Sequence, residues 1–401
     1  MLREKKILLG ITGGIAAYKT TFLVRLLIKA GADVRVILTD SASSFVSSLT
    51  LATLSKNEVV INFIKTEGNT TNWNNHVALG LWADLMIIAP ATANTMAKMV
   101  SGTCDSILLA TYLSAKCPVY FAPAMDLDMF KHPSTQKSLM ALQSYGNHMI
   151  PATSGELASG LHGEGRMAEP EAIINFIGTT IAIGLPLRNK TVLITAGPTH
   201  EAIDPVRFIG NHATGLMGFE LANRAARLGA RVILISGPTH LNVIDESITL
   251  VRVTTAEEMY NQSHAYFAKA TIVICAAAVA DYKPQNIGLH KIKKSSATLD
   301  IILERTKDIL QSLGEIKANQ YLVGFALETE NEEENAIGKL KRKNLDAIVL
   351  NSLNDEGAGF GGTTNKIKFI DANLAIQTFE LKTKAAVATD IFNEIIKRYD
   401  A

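Results

Sequence analysis

The chain reads as an α/β protein with two doubly wound domains, and three observations predict it. Short apolar runs such as KILLGIT (6–12), LMIIA (85–89) and RVILIS (231–236) end at glycine or small polar residues, as strands of a buried parallel sheet do. Segments of helical period lie between these runs, and alternation of this kind builds a parallel sheet with crossover helices. The pattern then restarts after GLPLRNK (184–190), a stretch of glycine, proline and charge that reads as a linker. Domains are therefore expected at 1–186 and 187–401.

In the first half, strands are predicted at 6–12, 32–39, 85–89 and 119–122. A helix over 14–30 places Ile15, Tyr18, Phe22 and Leu26 at helical spacing. In the second half, strands are predicted at 191–195, 231–236, 272–280, 321–326 and 347–351. A helix carrying Leu221, Ala225 and Leu228 closes at Gly229. The glycine-rich AGFGGTT (358–364) reads as a mobile loop.

Composition removes several function classes. Lys+Arg is 39 against Asp+Glu 38, so no basic excess points to nucleic acid or an anionic membrane. Cys104, Cys117 and Cys275 are isolated, which argues against a disulfide scaffold or a thiolate zinc site and for a reducing cytoplasm. The N-terminus runs directly into strand-like sequence without signal-peptide organisation. The most membrane-like stretch, 172–187, is too short to span and contains Asn175, Thr179 and Thr180.

The first strand–loop–helix, GITGGIAAYK (10–19), offers backbone N–H groups where phosphate binds well. It is neither the dinucleotide fingerprint nor a P-loop, and Thr39 stands where an NAD site has its acidic residue. Asp40 is one position further on, so an NAD(P)-dependent enzyme stays open as an alternative.

Several segments taken together carry a resemblance. GITGGIAAYK (10–19), HVALGLWAD (76–84), APATAN (89–94) and PAMDLDM (123–129) resemble flavin-dependent cysteine decarboxylases. TAGPTHEAIDPVRFIGNHATGLMG (195–218), AVADY (278–282), KIKK (291–294) and KNLD (343–346) resemble phosphopantothenate–cysteine ligases. In this order the pair resembles the bacterial bifunctional family of coenzyme A biosynthesis. The resemblance implies a flavodoxin-like FMN-binding domain followed by a Rossmann-like ligase domain. It implies CTP with Mg²⁺ (or Mn²⁺) for activating 4′-phosphopantothenate as an acyl-cytidylate, which the amine of cysteine attacks. FMN then oxidises the cysteine thiol of that product to a thioaldehyde, which lets carbon dioxide leave and yields 4′-phosphopantetheine. Small-molecule substrates and a homo-oligomer are implied as well.

For the first domain the resemblance implies flavin contacts at Thr12, Gly13, Gly14, Thr39, Ala89, Ala91, Thr92, Asn94 and Met125. It implies acid–base work by His76, imidazole being the side chain most often used for it. Asp126 stands where the family has asparagine; an ionised Asp accepts hydrogen bonds but donates none. Ser159 stands where the family's proton-donating cysteine lies. His162, three residues on in the same glycine-rich flap, carries an imidazole, a more suitable acid than a hydroxyl, and is the expected donor. Arg166 is suited to a phosphate or carboxylate.

For the second domain, Asn211 matches the asparagine that handles the acyl-cytidylate. The nucleotide is expected against Cys275, Ala276, Ala277, Asp281, Lys291, Lys307, Asp308, Ile309, Leu310, Phe325, Lys339 and Lys343, with Asp281 also at the metal. Leu216 and Ala213 depart from the family's lysine and serine, and the basic clusters at 291–294 and 339–343 are the expected compensation. Besides the NAD(P) reading, a flavin-binding regulatory subunit without decarboxylase activity is the competing expectation, supported by the missing cysteine and opposed by His76.

Overall fold

The computed structural model describes residues 2–67, 70–243, 245–293, 299–352 and 361–399. The chain divides into two compact units, Met1–Ile183 and Gly184–Ala401. Lys294 and residues 358–360 of the expected loop lie outside the described residues.

In the first unit, β1 (Lys6–Ile11), β2 (Asp33–Leu38), β3 (Val59–Val60), β4 (Leu85–Ala91), β5 (Val119–Pro123) and β6 (His148–Met149) form one sheet in the order β3-β2-β1-β4-β5-β6. Every pairing is parallel. Without the two-residue edge strand β3, the order is that of a flavodoxin-like sheet. The helices are α1 (Thr20–Lys29), α2 (Ser48–Ser55), α3 (His76–Trp82), α4 (Ala93–Ser101), α5 (Ile107–Ser114), α6 (Leu127–Lys131), α7 (Pro133–Ser144) and α8 (Pro170–Ile183). Strand residues alternate between two cores: Ile7, Leu9 and Ile11 face α1 and α8, whereas Leu8, Met86 and Ile88 face α4 and α5. A hairpin of β7 (Thr153–Glu156) and β8 (His162–Arg166) forms the flap.

One expected apolar stripe points the other way. The helix predicted from Gly14 begins as a 3₁₀ turn, Ile15–Lys19, before α1. Its large buried apolar residues are Leu23, Val24 and Leu27, while Ile15, Tyr18 and Phe22 are more than half exposed. Two apolar stripes share this segment, and only one packs on the sheet.

In the second unit, β9 (Thr191–Ala196), β10 (Arg231–Ser236), β11 (Ile248–Arg252), β12 (Ile272–Cys275), β13 (Tyr321–Glu328), β14 (Ala347–Ser352), β15 (Thr364–Asp371) and β16 (Ile376–Thr383) form one sheet in the order β11-β10-β9-β12-β13-β14-β15-β16. The strands are parallel through β14, and β15 and β16 join antiparallel. α9 (Leu216–Arg227) and α13 (Lys384–Tyr399) pack on one face. α10 (Ala256–Phe267), α11 (Ile309–Glu315) and α12 (Glu332–Arg342) pack on the other. The strand expected over 272–280 stops at Cys275. Beyond it the chain turns along the sheet edge, where its backbone lines a cavity.

Candidate functional sites in the two units

In each unit the strand order reverses beside the first strand, so the crevice at the carboxyl ends of the strands is where a ligand fits. The first unit has a cavity of about 870 Å³ there, within the range that holds a cofactor. Gly13, Gly14, Thr39, Thr92, Asn94, Met125, Asp126 and Ser159 line it, so most of the expected flavin and substrate contacts are brought together. Gly13 is needed for close approach, since a Cβ there would lie 2.6 Å from the Ser41 Cβ. Thr12 is buried instead, its hydroxyl donating to Pro90 O at 2.7 Å and accepting from the Thr92 N–H at 3.2 Å. It holds the first loop against the APATAN segment. Ala89 and Ala91 are fully buried in β4 and do not line the cavity.

Asp126 caps α6, its Oδ1 accepting from the Leu127 N–H at 2.7 Å. Its Oδ2 accepts nothing among the described residues. The flap seats directly on this segment: Met125 N donates to Gly165 O at 3.0 Å. Gly165 has φ +125, and a Cβ there would lie 2.5 Å from Met125 O, so only glycine closes the flap this tightly. Arg166 lines the cavity and shares Glu169 with the buried Lys19, both at 2.8 Å. The Lys19 hydrogen bond leads in holding the Glu169 carboxyl below its ordinary range.

His162 and His76 are placed differently. His162 is exposed at the start of β8, paired with Glu156, and does not line the cavity; Ser159 does. The flap's short return sets Ser159, and not the histidine, at the wall. His76 begins α3, wedged edge-on against Phe63 at 6.1 Å and Trp73 at 6.0 Å. Its Nδ1 is buried without a hydrogen-bond partner, and the ring is not on the wall of this chain's own cavity.

The second unit has a cavity of about 820 Å³. Asn211, Cys275, Ala276, Ala277, Asp281, Lys307, Asp308, Ile309, Leu310, Phe325, Lys339 and Lys343 all line it. Asn211 donates to Ala278 O at 2.9 Å and Val279 O at 3.2 Å, tying its loop to the one after β12. Lys339 donates to Phe325 O at 2.7 Å, and burial, reinforced by Lys343, lowers its pKa. Lys343 pairs with Asp308 at 2.6 Å and Lys307 with Glu257 at 3.2 Å. Burial pushes the Cys275 thiol up to about 12, so it lines the wall as an uncharged thiol.

Lys291 does not line this cavity. Its segment is tethered elsewhere: Ile292 N donates to Asp204 Oδ2 at 3.1 Å, and Arg207 donates to Ile292 O at 2.9 Å. Asp204 and Arg207 thus anchor the basic loop. Sequence reasoning missed further lining residues, among them Asn365 and Lys384. Neither carries a motif, and both reach the cavity only through the β15–β16 hairpin.

Residues 1–182 match the Flavoprotein family, and residues 187–399 match the DNA/pantothenate metabolism flavoprotein C-terminal domain. The coenzyme A biosynthesis bifunctional protein CoaBC of Bacillus subtilis (strain 168) is 43% identical to this chain, covering 98% of it and 97% of the relative. The chain belongs to this bifunctional CoaBC family. The Haemophilus influenzae CoaBC protein is 41% identical over 99% of this chain and 98% of its own. A cysteine/cysteine sulfinic acid decarboxylase from an unidentified prokaryote is 53% identical over 88% of this chain and 99% of that protein. The crystal structure of the C-terminal domain of a CoaBC protein, 40% identical, aligns with a TM-score of 0.47 over 54% of this chain and 99% of its own. Membership in this family sets aside the NAD(P) alternative. No helix among the described residues is long and apolar enough to cross a membrane.

Proposed function

We infer that the chain catalyses two steps of coenzyme A biosynthesis. The second unit ligates 4′-phosphopantothenate with cysteine at the expense of CTP. The first decarboxylates 4′-phosphopantothenoylcysteine to 4′-phosphopantetheine. The observation that carries this reading is that each unit has its own cavity at its own sheet's carboxyl edge, walled by the segments that resemble the matching enzyme.

The first cavity fits FMN: Gly13 keeps the loop backbone open beside Ser41, and Thr39 and Thr92 supply hydroxyls around it. Bound there, FMN supplies the two-electron oxidation, and its return, that carbon dioxide loss requires. Arg166 holds an anionic substrate group, and the Met125–Gly165 contact closes the flap against water. His76 serves the cavity of a neighbouring copy, which explains its absence from its own. The exposed Ile15, Tyr18, Phe22 and Trp73 provide apolar surface for such a homo-oligomer.

In the second cavity, Asp281 fits a Mg²⁺ (or Mn²⁺) ion held mainly by nucleotide phosphates, because its carboxylate lines the wall without a side-chain hydrogen bond among the described residues. Lys307, Lys339 and Lys343 neutralise the triphosphate, and Phe325 walls the base. Asn211 holds the acyl-cytidylate beside the loop it already ties down. The amine of cysteine attacks the acyl carbon, the acyl–phosphate bond breaks, and CMP leaves. The test is direct: CTP, 4′-phosphopantothenate and cysteine should give CMP and then carbon dioxide. Absence of either product identifies the inactive unit.

Asp126 favours a second reading of the first unit. Its free Oδ2 is a partner for an ammonium group, which a free amino acid has and an acylated cysteine lacks. The 53% identical relative carries a name of that kind. Carbon dioxide release from cysteine or cysteine sulfinic acid, but not from 4′-phosphopantothenoylcysteine, would establish this reading over the first.

A further inference from the structure

Arg166 is turned towards the first cavity by an irregularity in the flap. Along β8, Glu164 pairs with Ser154 and Arg166 with Thr153, so Gly165 is one residue too many for the ladder. Such a bulge moves the side chains after it to the other face of the strand. An unbroken strand would hold His162, Glu164 and Arg166 on one face, yet of these only Arg166 lines the cavity. Gly155 on the facing strand leaves room for the guanidinium, since a Cβ there would lie 3.2 Å from Arg166 Nη1.

The backbone alone does not fix so long a side chain. Arg166 donates from Nη2 to Glu169 Oε1 at 2.8 Å and leaves Nε and Nη1 without a partner among the described residues. The same Oε1 accepts from Lys19 Nζ, also at 2.8 Å. Lys19 is 5% exposed, ends the turn that follows Gly13 and Gly14, and donates to Met167 O at 3.1 Å. It thus pins residues 167 and 169 to the glycine loop, and Glu169 passes that restraint to Arg166. Two cations share one carboxylate, so the cluster keeps a positive charge for an anion. A guanidinium held in this way meets that anion without first losing its rotamer freedom.

We propose that Glu169 is a positioning residue of the first site, which presents Arg166 to the anionic group of the substrate from a fixed point on the glycine loop. The assignment rests on the decarboxylase reading of this unit, with either an acylated cysteine or a free amino acid as substrate. Glu169 acts through Arg166 and not on the substrate.

The test uses the full-length chain with FMN bound. It follows carbon dioxide release from whichever substrate the unaltered chain accepts: 4′-phosphopantothenoylcysteine, cysteine or cysteine sulfinic acid. Glu169→Gln keeps an oxygen for Lys19 but removes the charge that draws Arg166. It should raise KM about fivefold, the loss expected when one long side chain must be ordered on binding, and leave kcat within about twofold. Arg166→Gln should raise KM by more, because the charge-assisted contact itself is gone. In that background Glu169→Gln should change KM by less than about twofold, since the two residues act as one unit. A residue that merely supported the fold would cause the same loss in both backgrounds. Should Glu169→Gln not fold, Glu169→Asp carries the same cycle, keeping the charge beside Lys19 but withdrawing it from Arg166 by one methylene. An unchanged KM, a loss in kcat alone, or a loss that persists in full beside Arg166→Gln overturns the proposal. If the unaltered chain releases carbon dioxide from none of these substrates, the decarboxylase reading has failed and the proposal falls with it, an outcome distinct from the others.

Discussion

His76 shows most clearly how one residue's setting defines its use. Its ring is held by Phe63 and Trp73, its Nδ1 is buried and unpaired, and it stands apart from its own chain's cavity. His76→Asn keeps the ring's approximate volume but removes the titrating group. Decarboxylation should fall about 10²–10⁴-fold, the usual worth of a general acid–base, measured as carbon dioxide release. CMP formation and flavin content should not change; a parallel loss of CMP formation would show damage beyond the site. His76 was legible as a candidate because it heads a segment with several companion motifs. Ser159 and His162 were harder to separate, because three positions of spacing do not reveal which side chain a flap turns towards the cavity. Lys384 was not legible at all: a lysine among the polar residues of KTK (382–384) reads as solvated surface until the hairpin before it is folded.

At the scale of elements, the strands buried on both faces were plain in the sequence, since their apolar runs are continuous. The antiparallel β15–β16 pair was not, because lysines and threonines interrupt it. The glycine loop after β1 lines the first cavity, and its tolerance is testable. Gly13→Ala presses a methyl group against Ser41, an overpacking that costs about 1–3 kcal/mol or displaces the loop. The purified variant should lose most of its 450 nm flavin absorbance, a band at about that wavelength coming from the ligand's chemistry, while CMP formation persists. The loop anchored by Asp204 is expected to respond to acid. Burial raises the pKa of this carboxyl, but Arg207 and the N–H groups of Ile292, Val206 and Arg207 outweigh it and hold the pKa well below the ordinary range. A lowered folded pKa gives stability that is complete above the unfolded value, about 3.9, and is lost as pH falls towards the folded one. The melting temperature of the second unit should therefore drop below about pH 4. Asp204→Asn should flatten that dependence and lower stability at neutral pH. An unaltered acid limb in the variant would remove Asp204 from this role.

At the scale of the whole chain, each unit has its own sheet and its own cores. The restart of the strand–helix pattern after residues 184–190 made that division visible in the sequence, whereas the outward setting of Ile15, Tyr18 and Phe22 was hidden because an outward apolar stripe looks like core. Two melting transitions are expected. A ligand at about 100 times its Kd adds roughly 2.7 kcal/mol to the unit that binds it, or some 5–10 °C. FMN should move one transition and CTP the other; a single transition shifted by both would show the units to be coupled. The separate cores of 1–183 and 184–401 also have a consequence in genetics. A lesion confined to one core leaves the other to fold and work. A cell carrying one gene copy with His76→Asn and a second with Asn211→Asp should then grow without added 4′-phosphopantetheine, although neither allele alone supports growth. Such alleles would sort into two complementation groups, so that one gene would map as two.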